Sequence, residues 1–313
     1  MARRRVFVTG ATGLVGSQLC VELAEAGWEV RALTRHDLEP TLHPSIIWIH
    51  GDVLEEGYWP SAVDGVDAIV HLAGESVAAG RWTAERKRGL IDSRISSTER
   101  ILDGVRDAER KPKALLCASA CGYYGARGGE LLDEAARPGS DFLAQLCVDW
   151  EAAARAGESL GLRVVCLRFG MVLGRGGGAL ARMLPIFRKG LGGPLGPPDR
   201  YTPWVHLDDA TALVRRALEG GDDAMSGPVN VVSPGAVRMG EFARALGDAL
   251  GRPAVLPVPL LALRLVLGEA ADALVPGQHV MPQAAFEAGF RFRYDRIAVA
   301  LRSLVGRASG STD

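Results

Sequence analysis

Residues 6–16 read VFVTGATGLVG, and this stretch decides the fold. A short apolar run enters a turn, and an apolar helical pattern leaves it from Leu14 onward. Gly10, Gly13 and Gly16 stand at G-x-x-G-x-x-G spacing. The first glycine lets the chain turn sharply out of a strand. The second lets the backbone come close to a pyrophosphate, and the third lets the helix pack tightly on the strand. The helix start then offers unpaired N–H groups and a positive dipole end to the anion. A glycine triplet alone is weak evidence. This one sits between a strand-like run and a helix-like run, the context that a dinucleotide loop requires. The plainer alternative is a tight strand–helix turn with no ligand.

The chain has 313 residues, 48% of them hydrophobic, enough to bury a large core. Its net charge of −1 offers no global basic field for nucleic acid. Arg3, Arg4 and Arg5 form a short basic start, read as a solvated end because no apolar signal core follows. No run is long and apolar enough to predict a membrane span. The five cysteines (Cys20, Cys117, Cys121, Cys147 and Cys166) contain no C-x-x-C pair. Their scatter predicts a reducing, cytoplasmic setting. Cys117 and Cys166 lie in strand-like runs and read as buried small hydrophobes.

Apolar strands alternate with helices along the chain. Strands are expected at 28–33, 46–49, 66–72, 114–119 and 163–168, with another at 229–232. Helices are expected at 14–26, 83–108, 141–160 and 208–218. The alternation predicts an α/β fold: a doubly wound parallel sheet covered on both faces, of Rossmann type. The composition changes at Gly174, where GRGGG reads as flexible. The expected organisation is a nucleotide-binding domain over 1–173, completed by 203–233. Residues 174–202 and 234–313 then form a smaller substrate-side lobe, ending in a disordered tail from 307.

Cofactor choice turns on the end of the second strand. An acidic residue there would hydrogen-bond the ribose hydroxyls of NAD; an arginine suits the 2′-phosphate of NADP. Thr34 and Arg35 stand there, and the nearest acid is Asp37. This favours NADP(H), the alternative being a surface arginine. Asp52, after the third strand, can meet the adenine amino group or cap the next helix. Ala73, Gly74 and Glu75 end the fourth strand, and the small residues let a cofactor lie close above the sheet. Arg94, on the long polar helix, is a solvated charge or an inward one.

The chain resembles the extended short-chain dehydrogenase/reductase superfamily, and within it the atypical epimerase family protein group, with that group's C-terminal region of unknown function. The motifs are TGATGLVG (9–16), HLAGE (71–75), RW (81–82), SR (93–94), GYYG (122–125) and WE (150–151), followed by LGRGGG (173–178), MLPIFRKGLGGPLG (183–196), PWVHLDD (203–209) and NVVSP (230–234). The first is generic to the superfamily; the glycine run and MLPIFRKGLGGPLG are specific to the branch. The resemblance implies an NADP(H) site using Gly10, Thr12, Gly13, Leu14, Val15, Gly16, Thr34, Arg35, Leu72, Ala73 and Arg94, with Val172 near the nicotinamide.

The chain departs from the superfamily at its chemistry. Most members use Ser with a Y-x-x-x-K helix, where the lysine ammonium lowers the tyrosine pKa. Counted back from Glu151, those two positions hold Leu143 and Cys147. No tyrosine here has a lysine four residues on. Near the expected site remain Ser119, Tyr123 and Tyr124, with Arg127 four residues after Tyr123. Tyr123 is a candidate acid/base or a ring packed on the cofactor. Ser119 is a candidate substrate hydrogen-bond donor or a satisfied strand-end hydroxyl. His206 beside Asp208 resembles a catalytic pair but also suits a helix cap. Glu75 could face a substrate. Two readings follow. One is an NADP-dependent oxidoreductase or epimerase on a small carbonyl or sugar-nucleotide-like substrate with a non-standard proton donor. The other is a non-catalytic NADP(H)-binding sensor or scaffold. The chain is expected to act as a monomer or homodimer.

Overall fold

The computed structural model describes residues 3–35, 42–220, 224–271 and 277–305. Asp37 and the expected disordered tail lie outside the described residues. In chain order the strands are β1 (Arg5–Thr9), β2 (Glu29–Thr34), β3 (Ile46–His50), β4 (Ala68–His71), β5 (Ala114–Ala120), β6 (Leu131–Leu132) and β7 (Arg163–Phe169). They continue as β8 (Met171–Leu173), β9 (Tyr201–Thr202), β10 (Trp204–His206), β11 (Gly227–Val231), β12 (Val237–Arg238) and β13 (His279–Val280). One seven-stranded sheet has the order β11-β7-β5-β4-β1-β2-β3. Every pairing in it is parallel. The order runs outward in both directions from β1 and β4, so the switch point, and the crevice it opens at the strands' carboxyl ends, lies between them.

The helices α1 (Leu14–Glu25), α2 (Ala84–Ile91), α3 (Ser97–Asp107), α4 (Phe142–Arg155), α5 (Gly178–Arg188), α6 (Leu207–Glu219), α7 (Met239–Leu250) and α8 (Leu260–Leu267) follow the strands. A central parallel strand must be apolar on both faces. Val6 and Val8 accordingly enter the core under α1 and α6, beside Leu19, Leu23, Leu213 and Val214. Phe7 enters the opposite core under α3 and α4, beside Ile101, Val105, Trp150 and Ala154. A third core joins Leu180, Phe187 and Trp204 to Phe242, Leu246 and Leu301 of the C-terminal region. Residues from 277 return to the nucleotide-side body: β13 pairs with β6 in a separate two-stranded sheet, and Ala284 and Ala285 of helix Gln283–Glu287 join the core beneath β11.

Two expectations change in detail. The helix expected over 83–108 is interrupted by a π-helical turn, Asp92–Ser96, which carries Arg94 into a buried position. Such turns re-aim side chains at the expense of regular hydrogen bonding. The glycine run at 174–178, read as flexible, is a close contact. A Cβ at Gly174, Gly177 or Gly178 would stand 3.0–3.1 Å from the Leu14 side chain, and Gly178 has φ +67°. The chain wraps the first residue of α1 so closely that a side chain at these positions would have to displace Leu14.

The loop glycines differ in what they do. Gly10 has φ +69°, and a Cβ there would lie 2.6 Å from the carbonyl carbon of Leu72. A Cβ at Gly16 would overlap the Gly10 carbonyl oxygen. Gly27 also has positive φ (+85°), but nothing lies within 4 Å of its Cβ position. Gly16→Ala is therefore expected to destabilise the chain by about 3 kcal/mol, the range of overpacking. Gly27→Ala should cost about 1 kcal/mol, from left-handed strain alone. Urea unfolding of the two variants measures the difference; equal losses would show that the α1–β1 contact relaxes freely.

Candidate active site

The carboxyl ends of β1, β2, β4, β5 and β7 share one edge because the sheet is parallel. At that edge α1 begins with Gly13 as its N-cap, with no side-chain cap and no acidic residue in the first turn. Gly13 N–H bonds Gly10 O at 3.0 Å, and Ser17 N–H bonds Gly13 O at 2.9 Å. The N–H groups of Leu14, Val15 and Gly16 are the usual orphans of a helix start. A Cβ at Gly13 would meet only the Gly10 carbonyl oxygen, at 3.2 Å. Thr12 and Gly13 are exposed. The cradle is thus open in front, floored by bare backbone, and of the polarity a pyrophosphate requires.

Thr34 is buried at the end of β2, and Arg35 projects beyond it with its side chain 67% exposed. Asp52 makes a weak ion pair with Arg35 at 3.5 Å, and its other oxygen accepts the Leu54 N–H at 2.9 Å. Asp52 thus caps a turn and orients a guanidinium that stays available to an anion. Val172, on β8, pairs in register with Val205 of β10.

Between β1 and β4 the residues after the strand are locked by a buried chain of hydrogen bonds. Ala73 N–H donates to Thr9 Oγ1 at 3.3 Å, and Thr9 Oγ1 lies 2.6 Å from His71 Nδ1. His71 Nε2 lies 3.1 Å from Ser97 Oγ, which donates to the Ser93 carbonyl at 2.9 Å. With both hydroxyl protons assigned, Nδ1 is the acceptor and Nε2 carries the hydrogen. Burial lowers the His71 pKa to about 4, so it is neutral. The chain ties Leu72, Ala73 and Gly74 to the π-helical turn. There Arg94 Nη2 donates to Glu75 O at 2.8 Å, and Nη1 to Leu90 O at 3.2 Å. Its guanidinium backs Gly74 and faces the Trp150 ring at 5.2 Å. Burial lowers its pKa, and among the described residues it has no carboxylate partner. Glu75 pairs instead with Arg86.

A second buried network begins at Ser119. Its Oγ donates to Glu151 Oε1 at 2.7 Å. Arg168 grips Glu151 with two bonds, Nε to Oε1 and Nη2 to Oε2, each 2.7 Å. Arg168 Nη1 reaches Tyr124 Oη at 3.0 Å, and Tyr124 donates to Asn230 Oδ1 at 2.7 Å. Burial alone would lower the Arg168 pKa, but the Glu151 bonds, together with Tyr124 and the Glu151 charge, more than reverse this and hold the cation fixed. Burial also raises the Tyr124 hydroxyl. The Arg168 guanidinium lies 3.5 Å from the Tyr123 ring centroid, and the Tyr123 hydroxyl has no hydrogen bond among the described residues.

The superfamily's tyrosine position, Leu143, packs against Gly122 with Trp82 and Leu90 nearby. At the lysine position, burial and then Glu151 push the Cys147 thiol up to about 12, so it is neutral. Arg127 turns away from Tyr123 and clasps Glu130 through Nε and Nη2, at 2.8 and 2.6 Å. His206 Nδ1 accepts the Asp208 N–H at 3.1 Å and caps α6, its ring stacked on Tyr294 at 3.7 Å. Glu151, Arg168, Asn230 and His71 were not singled out as site residues from sequence. Arg168 had a readable signal: a charge inside an apolar buried strand demands a partner. Its partner, 17 residues away on α4, did not declare itself.

This edge, with a glycine cradle at the switch point and a polar cluster beside it, defines a nucleotide-binding α/β protein. The family model for the NAD dependent epimerase/dehydratase family matches residues 6–232, and a domain of unknown function (DUF1731) matches 258–304. The chain belongs to this family. It is similar to the human epimerase family protein SDR39U1, 36% identical over 96% of this chain and 99% of that one. It is 38% identical to the Arabidopsis thaliana SDR39U1 homolog, over 96% of this chain and 86% of the relative. That relative is designated chloroplastic, so family membership carries no cytoplasmic assignment. A crystal structure of human SDR39U1 with NADPH superposes with a TM-score of 0.85 at 32% identity, covering 97% of this chain and 99% of that one. Among the described residues no helix is long and apolar enough to cross a membrane.

Two stability predictions follow from the buried networks. Arg168→Met leaves Glu151 buried without its cation and should cost about 3–5 kcal/mol in urea unfolding. His71, at about 4 in the folded chain against a reference of 6.5, is depressed. The unfolded chain therefore binds the extra proton as pH falls below 6.5, and the folded chain follows only near 4. Stability from this group is complete above that window and is lost through it, by about 3 kcal/mol at most. His71→Asn should flatten the slope of stability against pH between the two values; an unchanged slope refutes the neutral, buried histidine.

Proposed function

We propose that the chain is an NADP(H)-dependent oxidoreductase or epimerase acting on a small carbonyl or sugar-nucleotide-like substrate, without the usual Tyr-x-x-x-Lys pair. One observation carries the reading. The open cradle of α1, the projecting Arg35 and the Ser119–Glu151–Arg168 cluster share one edge of one parallel sheet. Gly10, Thr12, Gly13, Leu14, Val15 and Gly16 would hold the pyrophosphate. Thr34, Arg35 and Asp52 would take the adenosine end, and Leu72, Ala73, Gly74, Arg94 and Val172 would line the path toward the nicotinamide. When bound, the nicotinamide supplies or accepts hydride.

The proton must be handled by the chain itself. Neither Leu143 nor a neutral Cys147 can do so as Tyr and Lys do. Ser119 has one hydrogen, and Glu151 already takes it. Ser119 therefore offers lone pairs, and the substrate group that meets it has to be a donor, such as a hydroxyl. Tyr123 has a hydroxyl free to move a proton to or from the substrate oxygen, with the Arg168 cation against its ring. The second reading, a non-catalytic NADP(H)-binding sensor, is favoured by the apolar Leu143 in the tyrosine's place.

Turnover separates them. The protein is incubated with NADPH over a carbonyl panel and with NADP+ over an alcohol panel, following absorbance. The enzyme reading expects turnover that Tyr123→Phe lowers about 100-fold or more, the worth of a positioned acid/base. NADPH binding without turnover, with no effect of Tyr123→Phe or Ser119→Ala, leaves the sensor. For the cofactor, Arg35→Ala should weaken NADPH about tenfold while leaving NADH nearly unchanged. Equal losses for both would refute the 2′-phosphate role.

A further inference from the structure

The C-terminal region holds six large apolar side chains out to solvent: Ile186 (53% exposed), Leu191 (55%), Val255 (74%), Leu256 (47%), Leu261 (69%) and Leu265 (68%). They belong to two segments stitched together. Leu256 N–H donates to Gly192 O at 3.1 Å and Val258 N–H to Pro194 O at 2.9 Å, and Leu195 bridges to Val258. Helix α8 starts directly after Pro259, and Leu261 and Leu265, one turn apart, share its outer face.

The charge on these segments is predominantly positive; Glu269, just past α8, is paired with Lys87. Residues 182–191 and 251–265 contain Arg182, Arg188, Lys189, Arg252 and Arg264, with no Asp or Glu. The chain as a whole carries −1. Arg188, Lys189 and Arg252 are exposed.

We propose that this face docks on an anionic lipid surface, with the α8 leucines entering the headgroup boundary and the cations meeting lipid phosphates. Charge selects the occupant. A second copy meeting this face about a two-fold axis would set cation against cation. An acidic protein partner would ordinarily be anchored by aromatic side chains in pockets; here the protruding side chains are all aliphatic. Exposed leucines on a short surface helix, with Arg188, Lys189 and Arg252 supplied by the segments stitched to it, fit an interfacial contact, one that lies on a membrane without spanning it.

Flotation of the full chain tests this with vesicles of phosphatidylglycerol and phosphatidylcholine, against pure phosphatidylcholine, at low and high salt. The expected result is binding to the anionic vesicles that is about tenfold weaker on the neutral ones and falls with salt. L261S/L265S, at exposed positions, should lose about tenfold in binding with an unchanged melting transition. R188Q/K189Q should lose binding together with its salt dependence. No flotation of the wild type on anionic vesicles overturns the proposal, as does undiminished flotation of L261S/L265S. Self-association by sedimentation that L261S/L265S abolishes, with no vesicle binding, assigns the face to a second copy instead.

Discussion

The structure depends on bare backbone at one crossing. The chain leaves β1 at Gly10 in a left-handed conformation, and its Cα lies against the carbonyl of Leu72 at the end of the neighbouring β4. One turn into α1, Gly16 lies against the carbonyl of Gly10. These two contacts set how closely α1 can approach the switch point of the sheet, and hence where its free N–H groups stand. Leu14, packed against Gly174, Gly177 and Gly178, carries the same constraint across to the segment that leads into α5. Small residues at distant places in the chain thus answer to one local requirement.

Beside that crossing, positive charge has an unusual distribution. The superfamily's lysine position holds the neutral, buried thiol of Cys147. Cations are supplied instead by Arg94 on the π-helical turn and Arg168 on β7, both buried. Arg168 is neutralised by Glu151, with both Nη1 hydrogens taken by Tyr124 and the Glu134 carbonyl. Burying such a pair is tolerable only when its hydrogen-bonding capacity is met nearly in full. Among the described residues Arg94 has carbonyls and an aromatic face but no carboxylate in ion-pair contact, Glu75 acting on it only through its field. A cation so placed behind the turn that follows β4 retains attraction for an anion in the crevice. The Glu151 grip also decides how Ser119 behaves, since a hydroxyl held at 2.7 Å by a carboxylate has spent its only hydrogen.

The sequence by itself determined the fold class, the order of the elements and the family. Glycine spacing, uninterrupted apolar strands and alternation with helices are local properties, and each has one cheap structural solution. It also disclosed the missing pair, because an absent Tyr and Lys can be read at Leu143 and Cys147 without coordinates. Boundaries moved by a residue or two, as at β2, where Thr34 proves to be the last strand residue. Only the tertiary structure decided what surrounds the chemistry. That Arg94 turns inward follows from a π-helical turn with no marker in composition. That Arg168 meets Glu151, that Arg127 prefers Glu130, and that His206 caps α6 all depend on which side chains the packing brings within 3 Å or so of one another. Hydrogen-bond partners far apart in sequence are chosen by burial, since a buried charge takes the nearest partner the fold provides, and linear spacing does not encode that distance.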